Sequence, residues 1–180
     1  GSCNIALGYE SGRWSTGGRN IAMGRNSQGA ASTGSDNIAL GHCSLRTNSS
    51  GNQNIAIGCK SLNLSSTGSN NIALGELSMA GATVTGDNNI AIGECAGHDL
   101  TSGNHNVFLG KLAGENVTTY KNSVAIGCRA GWSGGDCNVS VGHDAGRDVT
   151  GSHNVSIGNQ AAIYRTSGTD NTFIGRYAGN

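Results

Sequence analysis

His98-Asp99 and His143-Asp144, with Asp148, Ser140 and Ser152 not far along the chain, come closest to catalytic parts in this sequence. Hydrolysis needs paired carboxylates, or a nucleophile beside a base, gathered in a cleft. These pairs fall in loosely repeated loop positions that no element encloses. The chain reads as non-enzymatic, and no catalytic residue is assigned. His42-Cys43 with Cys59 brings three potential metal ligands together, but C-x-x-C or H-x-x-x-H spacing is lacking, so no metal site is expected. No G-x-G-x-x-G or Walker-type loop lies between a strand and a helix, and no cofactor is expected.

The cysteines are Cys3, Cys43, Cys59, Cys95, Cys128 and Cys137. Cys43 and Cys59 occupy neighbouring repeats one position out of phase, within the Cα separation a disulfide tolerates. Cys128 and Cys137 could close across one loop. Free thiols are the equal alternative for all four, and the even count suits an extracellular protein. Trp14, Trp132, Tyr9, Tyr120, Tyr164 and Tyr177 fall in bends and turns. There they either stack on a ligand such as a sugar or pack over their own turn. Of the Asn-x-Ser/Thr sequons, Asn48, Asn63 and Asn116 lie in turns and are the glycan acceptors, while Asn138 and Asn154 belong to a column expected to be buried.

What positions all of these is a repeat. The word N-[I/V]-x-[I/L/M/V]-G recurs eleven times in 180 residues, from Asn4-Ile5-Ala6-Leu7-Gly8 to Asn171-Thr172-Phe173-Ile174-Gly175, at spacings of 15 to 18 residues. Self-similarity at a fixed short period marks a solenoid. A 17-residue unit is too short for the helix pairs of most helical repeats. Instead each word alternates with period two, as a strand does. Column one (Ile21, Ile38, Ile55, Val107, Val124) is nearly all β-branched, and column two holds Met23, Leu40, Ile57, Leu109 and Ile126. These point to one side and the Asn, Ala and Gly columns to the other. A small residue follows each glycine by three positions, as Ser44 or Ala113 does, and suggests a second short strand or extended corner. A Ser/Thr-Gly turn then leads to the next word.

Composition agrees. The 31 glycines suit a tight turn in every coil, and the absence of proline leaves every backbone N–H free for a continuous ladder. Eleven Lys and Arg balance eleven Asp and Glu, so there is no electrostatic footprint for nucleic acid. No apolar run reaches the roughly 20 residues that span a bilayer, and no membrane insertion is expected. The Asn column (Asn20, Asn37, Asn54, Asn71, Asn89, Asn106) can stack into an amide ladder, a structural role. Small residues at Ala6, Ala22, Ala39, Ala56, Ala73, Ala91 and Ala125 imply close approach by another surface, as around a symmetry axis. Phe108 and Phe173 would fill that axis or face a local widening.

Asn-Ser-Val-Ala-Ile-Gly at 122–127, followed by Ala130-Gly131, resembles the head repeat of trimeric autotransporter adhesins. Asn171 to Gly179 is similar to repeats of phage tail-fibre and bacterial surface-fibre proteins. The resemblance implies a homotrimeric parallel β-roll, with the apolar columns filling each roll and the trimer core. The repeat here is longer than the adhesin unit, and neither a coiled-coil stalk nor an anchor barrel is present.

The expected fold is therefore all-β, a parallel β-solenoid (β-roll) of about eleven 17-residue coils packed as a homotrimer. Residues 1–180 are read as one repeat domain, an excerpt of a longer fibre, since neither end looks capped. The expected role is a structural or adhesive segment of an extracellular, cell-surface or virion fibre, binding receptors or glycans through variable corner residues. Rival readings are a head-to-tail self-assembling filament and an ice- or crystal-surface binder built on the Thr positions.

Overall fold

Each Asn-to-Gly word becomes one three-residue strand in the computed structural model, which describes residues 1–164 and 167–180. The strands are β1 (Ile5–Leu7), β2 (Ile21–Met23), β3 (Ile38–Leu40), β4 (Ile55–Ile57), β5 (Ile72–Leu74), β6 (Ile90–Ile92), β7 (Val107–Leu109), β8 (Val124–Ile126), β9 (Val139–Val141), β10 (Val155–Ile157) and β11 (Thr172–Ile174). They form one sheet in chain order, and every neighbouring pair is parallel. The register aligns like with like: Ile38 faces Ile55, Ala39 faces Ala56 and Leu40 faces Ile57. Coil-to-coil bonds run without a break, as when Ile38 N–H donates to Asn54 O at 2.8 Å and Gly58 N–H to Leu40 O at 2.9 Å. The chain is a parallel β-solenoid, and the 4.8 Å strand spacing makes it a rod about 50 Å long.

Tight coiling comes from backbone that L-residues rarely adopt. Three columns per coil lie in the left-handed region: the residue before the Asn (Asp36, φ 62°), the second after the glycine (Cys43, φ 56°) and the fourth after it (Leu45, φ 48°). Each such non-glycine residue costs about 1 kcal/mol or more. A coil-to-coil hydrogen bond offsets this at each corner: Asp36 N–H to Gly18 O, Cys43 N–H to Arg25 O and Leu45 N–H to Ser61 O. The closing glycine is irreplaceable for a second reason. At Gly58, with φ 131°, a Cβ would lie 2.5 Å from the Gly75 carbonyl oxygen of the next coil.

Two expectations are corrected. No second strand forms after the glycine; the segment is a run of turns, and beyond the sheet only isolated bridges such as Ser15 to Ser32 occur among the described residues. The left-handed corners bend the chain too sharply for an extended stretch. The second correction concerns which side is inside. The Ala column does not approach another chain around an axis; it lines the coil's own interior, with Ala39, Ala56, Ala73 and Ala91 fully buried. The large apolar columns do not fill the roll. They face outward, half-exposed, with Met23, Ile57, Ile92, Ile126 and Ile157 at 37–39%.

A coil this narrow has room for one large side chain between the strand and the column facing it. Where the strand centre is alanine, as in β3, β4 and β5, the opposite column supplies Leu45, Leu62 and Met79, all fully buried. In β7 the order reverses. Phe108 fills the interior, and the facing positions are Gly97 and Gly114. In the next two coils both positions are small, Ala125 with Gly131 and Ser140 with Gly146, leaving a void of about 20 Å³. Val84, Leu100 and Val117 complete the core on the third side.

Candidate functional site

The best-formed polar array is the asparagine column, and its geometry is structural. Each buried Asn takes the next coil's Asn backbone N–H on its carbonyl and gives its amide N–H to the following turn. Asn54 Oδ1 accepts from Asn71 N at 2.9 Å, and Asn54 Nδ2 donates to Gly68 O at 2.8 Å. Asn20, Asn37, Asn71 and Asn89 repeat this on Gly34, Gly51, Gly86 and Gly103, and Asn106 donates to Tyr120 O. Ser123, which stands in the column, takes the Asn138 N–H at 3.3 Å and donates to Gly135 O. A shorter side chain keeps the pattern with longer bonds.

A second ladder, two residues before the first, escaped the sequence reading. Ser35 N–H donates to Asn52 Oδ1, Asn52 N–H to Ser69 Oγ, Ser69 N–H to Asp87 Oδ1, and Asp87 N–H to Asn104 Oδ1. Its signal was available as a column of short oxygen-bearing residues beside the more obvious asparagines.

The groups expected to do chemistry are not brought together as catalysis needs. Ser140 is buried and points at Gly146 inside the coil, whereas His143 sits on the outer corner, 3.1 Å from Asp144. His98 Nδ1 lies 2.7 Å from Asp99, and Ser152 Oγ is occupied by Asp136 N–H. Among the described residues no three His, Cys, Asp or Glu side chains are placed to hold a metal ion. His42 separates its two cysteines, with Nε2 3.3 Å from Cys43 Sγ and Nδ1 3.8 Å from Cys59 Sγ. All six cysteines are free thiols, Cys128 and Cys137 included. Burial, with the Glu115 and Glu94 carboxylates nearby, pushes the Cys95 thiol above its ordinary pKa. Asn48 is a correction: its amide is buried and exchanges two hydrogen bonds with Gly51, which leaves nothing for a glycan. Asn116 is exposed.

The aromatic residues separate into distinct environments. Tyr120 packs on the core and its hydroxyl accepts from Gly134 N. Trp14 is 55% exposed, with the Arg13 guanidinium 4.6 Å over its ring. Arg176 covers Tyr177 in the same way. Tyr9 and Tyr164 stand out in solvent. Trp132 is tied by its edge to a carboxylate: its Nε1–H donates to Glu115 Oε2 at 2.7 Å. It lines an open cleft of about 430 Å³ with Leu112, Glu115, Arg129 and Arg147. A smaller cleft of about 240 Å³ lies beside Trp14 and Arg46.

Comparison with family models, with curated proteins and with solved structures finds no match to this chain. Its architecture therefore rests on its own repeat and coordinates.

Proposed function

We propose that the chain is a non-enzymatic segment of an elongated extracellular, cell-surface or virion fibre. Its copies pack side by side as a homotrimer and present corner residues to a surface receptor or glycan. The observation that carries this reading is the outward apolar face. Two ladders of Ile, Val, Leu and Met run the length of the sheet, with side chains that the coil's own core does not use. A continuous apolar strip of this length is rare on the surface of a monomer and fits an interface. A closed assembly about a rotation axis buries the same strip on every copy. The resemblance of 122–131 to trimeric adhesin heads and of 171–179 to fibre repeats supports the same arrangement. Corner side chains recur at each coil, so weak contacts multiply by avidity.

The ice-binding reading is weaker, because several of the threonine hydroxyls in its row are already engaged. Thr33, Thr85 and Thr101 donate to the carbonyls of Ser49, Thr101 and Thr118.

Sedimentation and light scattering test the proposal. A discrete trimer is expected, and it should dissociate when Ile57, Ile92 and Ile126 are together changed to Lys, with the β circular dichroism retained. A wild-type monomer at micromolar concentration would overturn the assembly. A polydisperse, length-variable product would favour the head-to-tail filament.

A further inference from the structure

Three consecutive coils build the Trp132 cleft as a small grid. The second residues after the closing glycines are Leu112, Arg129 and Asp144; the fifth are Glu115, Trp132 and Arg147. Coil-to-coil bonds hold the second column in register, with Asn116 N–H on Trp132 O and Ser133 N–H on Arg147 O. Neighbouring rungs are thus one strand spacing apart, about 4.8 Å, close to the width of a sugar ring.

The grid is organised before any ligand arrives. Asp144, with its side chain only 1% exposed, holds Arg129 Nη2 at 2.9 Å and lies 4.0 Å from Arg147 Nη1. Arg147 is steadied on its other side by Asp148 at 3.3 Å. Glu115 fixes the indole by its edge rather than its face, and among the described residues no cation covers the ring as Arg13 covers Trp14. The side chains of Arg129 and Arg147 remain 41% and 30% exposed, and their guanidiniums keep spare N–H groups. The second oxygen of Glu115 remains an acceptor. The two arginines are outnumbered by Glu115, the buried Asp144 and Asp148, so the site has donors and acceptors without an excess of positive charge.

An apolar ring face, flanking donors and acceptors, and no excess of positive charge together match an uncharged pyranose rather than an acidic one. We infer that the Trp132 cleft is a carbohydrate subsite. One apolar face of a neutral hexose stacks on the indole, its hydroxyls bond Arg129, Arg147 and Glu115, and Leu112 closes the end. Asp144 is a positioning residue that acts through the arginines. This inference rests on the adhesive reading above and names the ligand class and the residues.

The test is titration of the full chain with lactose and cellobiose as neutral probes and sialyllactose as the acidic one. Saturation-transfer NMR and tryptophan fluorescence are the readouts. Saturable binding of a neutral disaccharide is expected, weakened about tenfold or more in Trp132→Ala, as truncating an aromatic anchor does. Arg147→Ala should weaken it too, and Trp14→Ala should leave it unchanged. Circular dichroism checks that each variant stays folded. Binding undiminished in Trp132→Ala, saturation by sialyllactose alone, or no binding of either neutral sugar overturns the assignment. Adherence of the wild-type chain to cell surfaces is scored in parallel. Adherence without sugar binding sinks only the cleft, whereas absence of adherence to any surface sinks the adhesive reading itself.

Discussion

The ring of Phe108 stands where a side chain on Gly114 would have to be: a Cβ there would lie 2.5 Å from ring atom Cδ1. The residue is six positions along the same coil, on the wall facing β7. Three coils earlier the arrangement is inverted, with Ala56 in the strand and Leu62 opposite, both fully buried. The pair sets the interior volume of a coil, and either wall can supply the bulk.

Phe108→Ala should therefore cost about 3–5 kcal/mol, as large-to-small core changes do. Gly114→Leu alone should destabilise by about 1–3 kcal/mol through overpacking. The double variant should be more stable than the sum of the two by at least about 1 kcal/mol, because it recreates the Ala56/Leu62 arrangement. Urea unfolding of the four proteins measures this, and strict additivity would show that the two walls do not share one volume.

Asn71→Ala removes the acceptor for Asn89 N–H and the donor to Gly86 O in the buried ladder. About 2–4 kcal/mol should be lost, since both backbone groups are left unpaired. Asn71→Ser should lose less, following the precedent of Ser123. Thermal unfolding ranks the variants, and equal losses for Ala and Ser would mean that the hydroxyl makes no compensating bond.

Gln28 sits in the column of Leu45, Leu62 and Met79, fully buried, with both amide atoms lacking a partner. Gln28→Leu should stabilise the chain by about 1–2 kcal/mol by removing an unsatisfied polar group from the core. A rise in Tm is the readout, and an unchanged or lower Tm counts against it.

Arg19 and Asp36 pair across adjacent coils, 2.6 Å apart. The hydrogen bond from Arg19 is the main cause holding the Asp36 carboxyl below the usual carboxylate range. A depressed carboxyl contributes stability that is complete above its unfolded pKa, about 4, and is lost as pH falls through the lower folded value. The Tm difference between wild type and Asp36→Asn should be small, since both groups are in solvent, and should close as the pH falls below about 4. Added salt should shrink it at neutral pH. A gap that widens toward acid would reverse the sign.

The eleven-fold word by itself determined the period, the strand it forms in each coil, the parallel order and the register of the asparagines, but not that no second strand follows it. Those follow from local alternation and from identical residues that gain most by lying over one another. Which face is inside was decided only in three dimensions. Period-two alternation separates two faces without ranking them, and the usual rule places Ile and Leu within. Here the left-handed corners at positions such as Cys43 and Leu45 bring the facing wall close, so the strand centre and the residue six positions on share one small interior volume; the column of Ala39, Ala56 and Phe108 lies inside and the larger columns face outward. Residue type announces those corners only in part: Gly97, Gly114, Gly131 and Gly146 or Asn70 and Asn88 mark some, but at others leucine, cysteine and arginine occupy a conformation that sequence rules reserve for glycine and asparagine. The Trp132 cleft was hidden for the same reason. Its tryptophan was visible in the chain, but Glu115, Arg129, Asp144 and Arg147 become its neighbours only once coils of 15 and 17 residues stack in register.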